Sequence, residues 1–223
     1  MTNMRNQNAA TCGGLFGWLA AAPWSNPGFS GFFLSLVIFG FGGGITGVVL
    51  GTQQINIMAH NTLRIPGHFH VTVVGGTAPA FTAVTYYIMP LIFQREIRFP
   101  RLAKWQPYLF GLGVGGISLF MMGAGTLGVS RRHWDITFAD SALDFSYPEA
   151  AFLMLALNGL SAIAAATGGL MYIVIVVGSV FFGRKVEGSV DGWTWHDAAG
   201  DQVELHFERG RLARWSLSRA NPG

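Results

Sequence analysis

Two histidines that stand two residues apart are the residues of this chain best suited to metal chemistry. His68 and His70 lie in the stretch from 60 to 90, which reads HNTLRIPGHFHVTVVGGTAPAFTAVTYYIMP. From Pro66 onward the stretch is long and apolar enough to span a bilayer, so both imidazoles are expected inside the membrane. Ionisable side chains are costly there unless they bond or ligate, and they indicate a functional site.

The spacing of the two histidines separates two kinds of site. On a strand, side chains at i and i+2 point the same way and would chelate one ion together. On a helix they differ by about 200° around the axis, because each residue turns by about 100°. Pro66 suits the first turn of a helix, which favours the helical arrangement. Each imidazole would then serve a different prosthetic group, as an axial histidine of haem iron does.

Composition places this pair in a membrane protein. The chain is 51% hydrophobic and 11% charged, whereas a soluble domain carries about 25% charged residues. A net charge of only +3 predicts no nucleic-acid partner. The single cysteine, Cys12, allows no internal disulfide and no CxxC metal site. Residues 1–11 are polar and do not read as a signal peptide.

Four apolar segments, each near the roughly 20 residues that a bilayer core requires, predict four membrane-spanning helices. The segments run over Phe32–Gln53, Pro66–Phe93, Trp105–Val129 and Glu149–Phe182. Glycine pairs recur in them and favour close helix packing, or the close approach of a flat porphyrin. The predicted fold class is therefore an all-α integral membrane protein with four transmembrane helices and a short polar tail.

The chain divides into three predicted regions. Residues 1–30 are expected to form an interfacial segment, with Trp18 and Trp24 at headgroup level. Residues 31–183 form the transmembrane four-helix region that carries the histidines. Residues 184–223 form a cytoplasmic tail.

The tail has its own pattern. Val203, Leu205 and Phe207 alternate with polar residues, which predicts a strand. A turn at Arg209-Gly210 would make this strand part of a β-hairpin; a loosely ordered tail is the alternative.

Loop charge predicts the orientation, because cytoplasmic loops are enriched in lysine and arginine. The loop 94–104 carries four such residues: Arg95, Arg98, Arg101 and Lys104. The fourth segment ends at Arg184-Lys185. We therefore expect a multi-pass protein of the cell inner membrane with both termini in the cytoplasm. His68 and His70 then fall near the outer face.

The pattern HNT...PGHFH...YY.MP resembles the tenth helix of subunit I of the haem-copper oxygen reductases, in the B-type branch of the cytochrome c oxidases. The resemblance runs to about residue 185 and makes the chain similar to the C-terminal portion of that subunit, helices nine to twelve. It implies two haem cofactors. His68 would ligate the high-spin haem of the oxygen-reducing centre, and His70 the low-spin haem that delivers electrons.

The resemblance also implies roles at the outer face. Arg131 and Arg132 would contact haem propionates, since arginine forms bidentate hydrogen bonds with carboxylates. The alternative is a solvated pair balanced by acidic neighbours: Asp135, Asp140 and Asp144. His60 would lie near the propionate of the high-spin haem on a proton exit route; an ordinary interfacial histidine is the alternative. Many relatives have an aspartate where Asn56 stands.

Copper is implied only in the assembled complex. The family holds it with three histidines on earlier helices, which also supply the second axial ligand of the low-spin haem. This chain has six histidines, and only His68 and His70 lie in a spanning segment, so copper ligands are expected outside it. The implied partners are the N-terminal part of subunit I, oxidase subunit II, cytochrome c and membrane lipid. The chain is then a piece of a split subunit or a truncated frame, and alone it is expected to be inactive.

The leading functional hypothesis is the haem-binding part of a proton-translocating terminal oxidase that reduces oxygen to water. The alternatives are a nitric oxide reductase of the same superfamily and a non-catalytic di-haem or assembly subunit. Other polar groups are expected to be structural. Tyr86 and Tyr87 are predicted to be interfacial aromatics, Glu149 to open a helix, and Asn158 to bond between helices.

Overall fold

The computed structural model describes residues 17–132, 146–185, 192–196, 202–208 and 211–218. Within these residues the chain forms six helices: α1 Gly17–Ala20, α2 Pro27–Gly51, α3 Gln53–Ala59, α4 Arg64–Phe93, α5 Pro100–Thr126 and α6 Glu149–Phe182. Four of them, α2, α4, α5 and α6, are long and apolar enough to cross a membrane. The predicted fold class is confirmed. The aspartates at 135, 140 and 144 and the turn at 209–210 lie outside the described residues.

The first spanning helix begins earlier than the hydropathy pattern predicts. Its first residue is Pro27, in the favoured first position, and the Asn26 side chain caps it. The Asn26 Oδ1 accepts hydrogen bonds from the backbone N–H groups of Gly28 at 2.9 Å and Phe29 at 3.2 Å. These bonds satisfy donors that a helix start leaves unpaired. The end of the predicted interfacial segment therefore belongs to α2.

Two of the spanning helices are interrupted by π-helical stretches. Ile38–Gly43 is π-helical within α2, and His70–Thr77 is π-helical within α4. The two stretches pack against each other at glycines. A Cβ at Gly42 would lie 2.7 Å from Val71 Cγ2, and one at Gly76 would lie 2.6 Å from Phe39 Cδ2. Such π stretches occur frequently at functional sites.

The other spanning pair, α5 and α6, consists of uninterrupted α-helix and shares the most extensive helix contact of the described chain. Glycines again allow the approach. A Cβ at Gly113 would meet Ala165 N at 2.5 Å, and one at Gly168 would meet Phe110 N at 2.7 Å. Because these neighbours are backbone atoms, nothing larger than glycine fits at either position.

The connections close the two ends of the bundle. We call the region of residues 59–64 and 127–132 the histidine end, and the region of residues 94–99 and 183–185 the tail end. At the histidine end, Leu63 N donates to Val129 O at 2.9 Å and Arg131 N donates to Asn61 O at 2.8 Å. The loop before α4 is thus tied to the loop after α5. At the tail end, Glu96 N donates to Arg184 O at 2.9 Å, which ties the loop before α5 to the residues after α6.

The tail contains an antiparallel three-stranded sheet in the order β1-β2-β3, with β1 Gly192–His196, β2 Gln202–Glu208 and β3 Arg211–Ser218. The predicted strand lies within β2. β2 pairs with β3, with Leu205 opposite Trp215, and the register shifts between His206 and Phe207. The first strand was not predicted, although Trp193 and Trp195 alternate with Thr194 in the sequence.

Candidate functional site

His68 faces the first spanning helix. It lies in the second turn of α4, and its Nδ1 is 2.7 Å from Thr46 Oγ1 of α2. Gly47, the next residue of α2, lies beside the ring, since a Cβ there would be in ordinary contact with His68 Cε1 at 3.4 Å. The imidazole is half-buried. Its orientation therefore depends on a neighbouring helix.

His70 bonds to its own helix instead. It is the first residue of the π stretch of α4, and its Nδ1 lies 2.7 Å from the Pro66 carbonyl oxygen. A carbonyl oxygen only accepts hydrogen bonds, so Nδ1 carries the proton and Nε2 keeps its lone pair. The bond spans one turn of α4, from position 70 back to position 66.

The two imidazoles fit axial ligation of haem better than a closed metal site. Ligating histidines usually donate their second ring N–H to an acceptor, which fixes the tautomer. Both rings bond through Nδ1, and no described residue bonds to Nε2 of either. No group of three histidine, cysteine, aspartate or glutamate side chains converges within the described residues. Since a porphyrin supplies four nitrogens itself, one imidazole for each haem is enough.

The two arginines predicted to meet propionates have different environments. The Arg131 Nη2 donates to Asn61 Oδ1 at 3.2 Å, and its Nε is buried without a partner among the described residues. Arg132 is exposed and has a φ of 70°, a left-handed value that is uncommon outside glycine. Arg131 is therefore held against the loop that starts α4, while Arg132 extends from the histidine end.

His60 is exposed at the C-terminal end of α3, one residue before Asn61, whose φ is 60°. Asn56, the position at which many relatives are expected to carry an aspartate, has a structural contact: its Nδ2 donates to Leu50 O at 3.0 Å. This bond satisfies a carbonyl at the end of α2. The structure thus brings His60, Asn61 and Arg131 to the same end of the bundle.

Two residues of this region were missed by the sequence analysis. Thr46 contacts His68 from another helix, a contact with no local signal. Arg64 has a weak signal, because it is a charged residue one turn before His68 on a spanning helix. Its Nη1 donates to Thr126 Oγ1 at 2.6 Å, and its Nε is buried without a described partner. Arg64 lines a pocket of about 400 Å³ with Ile55, Met58, Ala59, Gly125, Thr126 and Gly128.

The prediction for Tyr86 was wrong, whereas Tyr87 is exposed as expected of an interfacial aromatic. Tyr86 is buried, and its hydroxyl donates to Gln106 Oε1 at 3.0 Å. The fully buried Gln106 in turn donates through Nε2 to Gly168 O at 3.1 Å. Tyr86, Gln106 and Gly168 therefore join α4, α5 and α6 by hydrogen bonds. The predicted bond of Asn158 is not seen, since its Oδ1 is buried without a partner among the described residues.

Comparison with known proteins gives a consistent result. The family model described as cytochrome c and quinol oxidase polypeptide I matches residues 8–170. Cytochrome c oxidase subunit 1 of Thermus thermophilus is 32% identical over 162 residues, which are 72% of this chain and 28% of the relative. Cytochrome c oxidase subunit 1 of Bacillus sp. strain PS3 is 28% identical, over 81% of this chain and 25% of the relative.

A solved structure is also similar. The cryo-EM structure of a heme-copper terminal oxidase dimer matches with a TM-score of 0.62 and 31% identity. The match covers 74% of this chain and 28% of that chain. The chain thus spans less than a third of the length of these relatives.

Proposed function

Because this chain belongs to the cytochrome c and quinol oxidase polypeptide I family, we propose that it is the haem-binding C-terminal portion of a terminal oxidase subunit I. The motif around His68 and His70 supports the B-type branch. Haem iron in such proteins supplies one-electron transfer and oxygen activation. The proposed complex passes electrons from cytochrome c and reduces oxygen to water, with proton translocation.

One observation carries the proposal: two half-buried imidazoles, two residues apart on a membrane-spanning helix, each bonded through Nδ1 and with no bond from a described residue to Nε2. We assign His68 to the high-spin haem and His70 to the low-spin haem. Their acceptors differ, since His68 bonds to α2 and His70 to the Pro66 carbonyl. The chain's own contribution is to hold two ligands of fixed tautomer on one spanning helix.

Residues at the histidine end supply charge for the haem carboxylates in this proposal. Arg131 and Arg132 are assigned to propionates, which arginine binds through charge-assisted hydrogen bonds. The buried Arg131 Nε without a described partner is a donor that such a contact would satisfy. His60, exposed nearby, is assigned to the proton exit route, where the ring nitrogens of an imidazole accept and release protons.

In this proposal the rest of the centre comes from residues outside this sequence. The copper ligands and the second axial ligand of the low-spin haem are assigned to the N-terminal part of subunit I, whether from a split or a longer gene. The surface of α2 supports such a partner, because Leu36, Phe41 and Val48 are exposed to 67%, 67% and 77%. Lipid and the partner subunit would cover this apolar face.

The location and orientation are proposed from charge. The tail end carries Arg95, Arg98, Arg184 and Lys185, which places it at the cytoplasmic face by the positive-inside rule. Both termini are then cytoplasmic, and the histidine end faces outward. The membrane is proposed to be the cell inner membrane.

The proposal is tested on the membrane complex purified through an affinity tag on this chain. We expect two haems per complex, copper in metal analysis, and subunits that supply the missing helices in mass spectrometry. His70→Ala should remove the low-spin α band, and His68→Ala should remove the carbon monoxide-induced Soret change of the high-spin haem. Thr167→Val, a hydroxyl deletion on α6 that should affect neither band, is the control.

Each alternative predicts a different result. Non-haem iron without copper would identify a nitric oxide reductase. Two haems without oxygen reduction or a second metal would identify an electron carrier. A complex without haem would reject the assignment of both histidines.

A further inference from the structure

We propose that Thr46 is a positioning residue that sets the tautomer and the orientation of His68 from a separate helix. This inference rests on the proposed function, in which His68 is an axial haem ligand. It goes further by naming a hydroxyl on α2, and not a group on α4, as the partner that prepares His68 for ligation.

The hydrogen bonds of Thr46 define the direction of the contact. Thr46 Oγ1 lies 2.6 Å from Gly42 O, 3.2 Å from Gly43 O and 2.7 Å from His68 Nδ1. A hydroxyl has one proton to donate, and carbonyl oxygens only accept. Threonine on a helix commonly donates to the carbonyl four residues earlier, here the shortest of the three contacts.

The Thr46 hydroxyl therefore accepts a hydrogen bond from the N–H at His68 Nδ1. The lone pair of the ring is then at Nε2, the nitrogen that is free to ligate. With the opposite direction, Nε2 would carry the proton and the ring would not bind iron. A hydrogen-bond acceptor on the second ring nitrogen also raises the basicity of a histidine ligand.

The contact depends on how closely α2 and α4 approach. A Cβ at Gly43 would lie 2.9 Å from Thr72 Cγ2, and Gly47 lies beside the His68 ring. Glycine at position 43 lets α2 approach α4 closely enough for the Thr46 side chain to reach His68. His70 has no such dependence, because its Nδ1 bonds to the Pro66 carbonyl of its own helix. The two ligands should therefore respond differently to changes in α2.

The test compares Thr46→Val with Thr46→Ser in the purified complex. Valine keeps the shape of threonine and removes the acceptor, whereas serine keeps the hydroxyl. We expect Thr46→Val to weaken retention of the high-spin haem by roughly 10-fold, as for other second ligand-sphere partners. The iron–histidine stretching band in resonance Raman spectra should move to lower frequency, because the imidazole becomes a weaker donor. Thr46→Ser should stay near the wild type.

The low-spin α band assigned to His70 is the internal control for folding and should persist in Thr46→Val. Thr167→Val removes a hydroxyl whose one hydrogen bond within the described part of the chain is to its own helix, at Ile163 O, and should leave the Raman band in place. An unchanged band and unchanged haem retention in Thr46→Val would overturn the inference and leave the proposed function standing.

Loss of both haems from Thr46→Val and Thr46→Ser alike would also overturn the inference, because the hydroxyl would not be the feature that matters. A wild-type complex that has haem but no Raman band from His68 would reject the high-spin assignment itself. The experiment thus distinguishes an incorrect role for Thr46 from an incorrect assignment of His68 to the high-spin haem.

Discussion

The two pairs of spanning helices, α2 with α4 and α5 with α6, pack by the same means and differ in what they carry. Both approach closely through glycines. The α5/α6 pair is regular α-helix over 27 and 34 residues. The α2/α4 pair contains two facing π stretches, the two histidines and the Thr46 contact. Among the spanning helices, the irregular backbone is thus confined to the pair that carries the histidines, and the regular α5/α6 pair is its support.

The largest expected effect is at the close contact between α5 and α6, the proposed support. At Gly168 a Cβ would meet backbone of Phe110, which has no freedom to move. Gly168→Val should therefore destabilise the protein by about 3 kcal/mol, the upper range for overpacking, as measured by SDS titration of the complex in mixed micelles. Gly169→Val is the matched control, because its Cβ would be 3.9 Å from Phe110 Cε2. Equal losses for the two variants would contradict the proposed tight contact.

The second prediction tests the irregular pair. At Gly76 a Cβ would meet the Phe39 side chain at 2.6 Å, and this ring has more freedom than backbone. Gly76→Ala should destabilise the protein by about 1–2 kcal/mol. For each kcal/mol of lost stability, it should change the haem spectra more than Gly168→Val does. Gly115→Ala serves as the control, with its Cβ 3.9 Å from Ile38 Cδ1. If the haem spectra of both variants change only in proportion to lost stability, the α2/α4 pair is no closer to the haems than the α5/α6 pair, and the proposed distinction is wrong.

The third prediction concerns the polar link between the two pairs. Gln106→Leu removes the bonds to Tyr86 and Gly168 and should cost about 1 kcal/mol in unfolding free energy, since hydrogen bonds between membrane helices are individually modest. Tyr86→Phe removes only one of these bonds, so its effect should be smaller. The haem spectra should not change in either variant. A larger effect of Tyr86→Phe would show that the tyrosine has a partner beyond Gln106.

The smallest expected effect lies at the tail end of α6. The Arg98 Nη1 donates to Phe182 O at 2.7 Å. Phe182 is the last residue of α6, and the helix dipole favours a positive charge at a helix C-terminus. Arg98→Ala should cost about 0.5 kcal/mol, and high salt should reduce the difference from wild type. Arg101→Ala, at an exposed position in the first turn of α5, is the control. A salt-independent loss would assign the effect to packing of Arg98 on the Phe99 and Phe182 rings.

Much of the fold was predictable because it follows from local properties. Length and hydropathy were sufficient for four spanning helices, and the bounds of α6 were predicted to the residue. The early start of α2 was readable in principle, since Asn26 and Pro27 form a cap signature. The strand over 203–207 followed from alternation, whereas the alternating run of β1 is only five residues long and was not predicted as a strand.

The site was predictable only in part. Helical geometry and the residue types at 68 and 70 were enough to propose two separate ligands. The contact of Thr46 with His68, the burial of Tyr86 beside Gln106 and the contact of Arg64 with Thr126 join residues that are 22, 20 and 62 positions apart. Such contacts depend on which helix faces the residue, and hydropathy does not determine that in a uniformly apolar segment.

The sequence by itself determined that the chain is a four-helix membrane protein with an imidazole pair on its second spanning helix, because length, polarity and spacing are properties of single segments. The tertiary structure decided that His68 bonds to α2 while His70 bonds to Pro66, and that π stretches face each other beside them. The physical reason is that glycine permits close approach without specifying a partner, so only the packed bundle selects the atoms that meet.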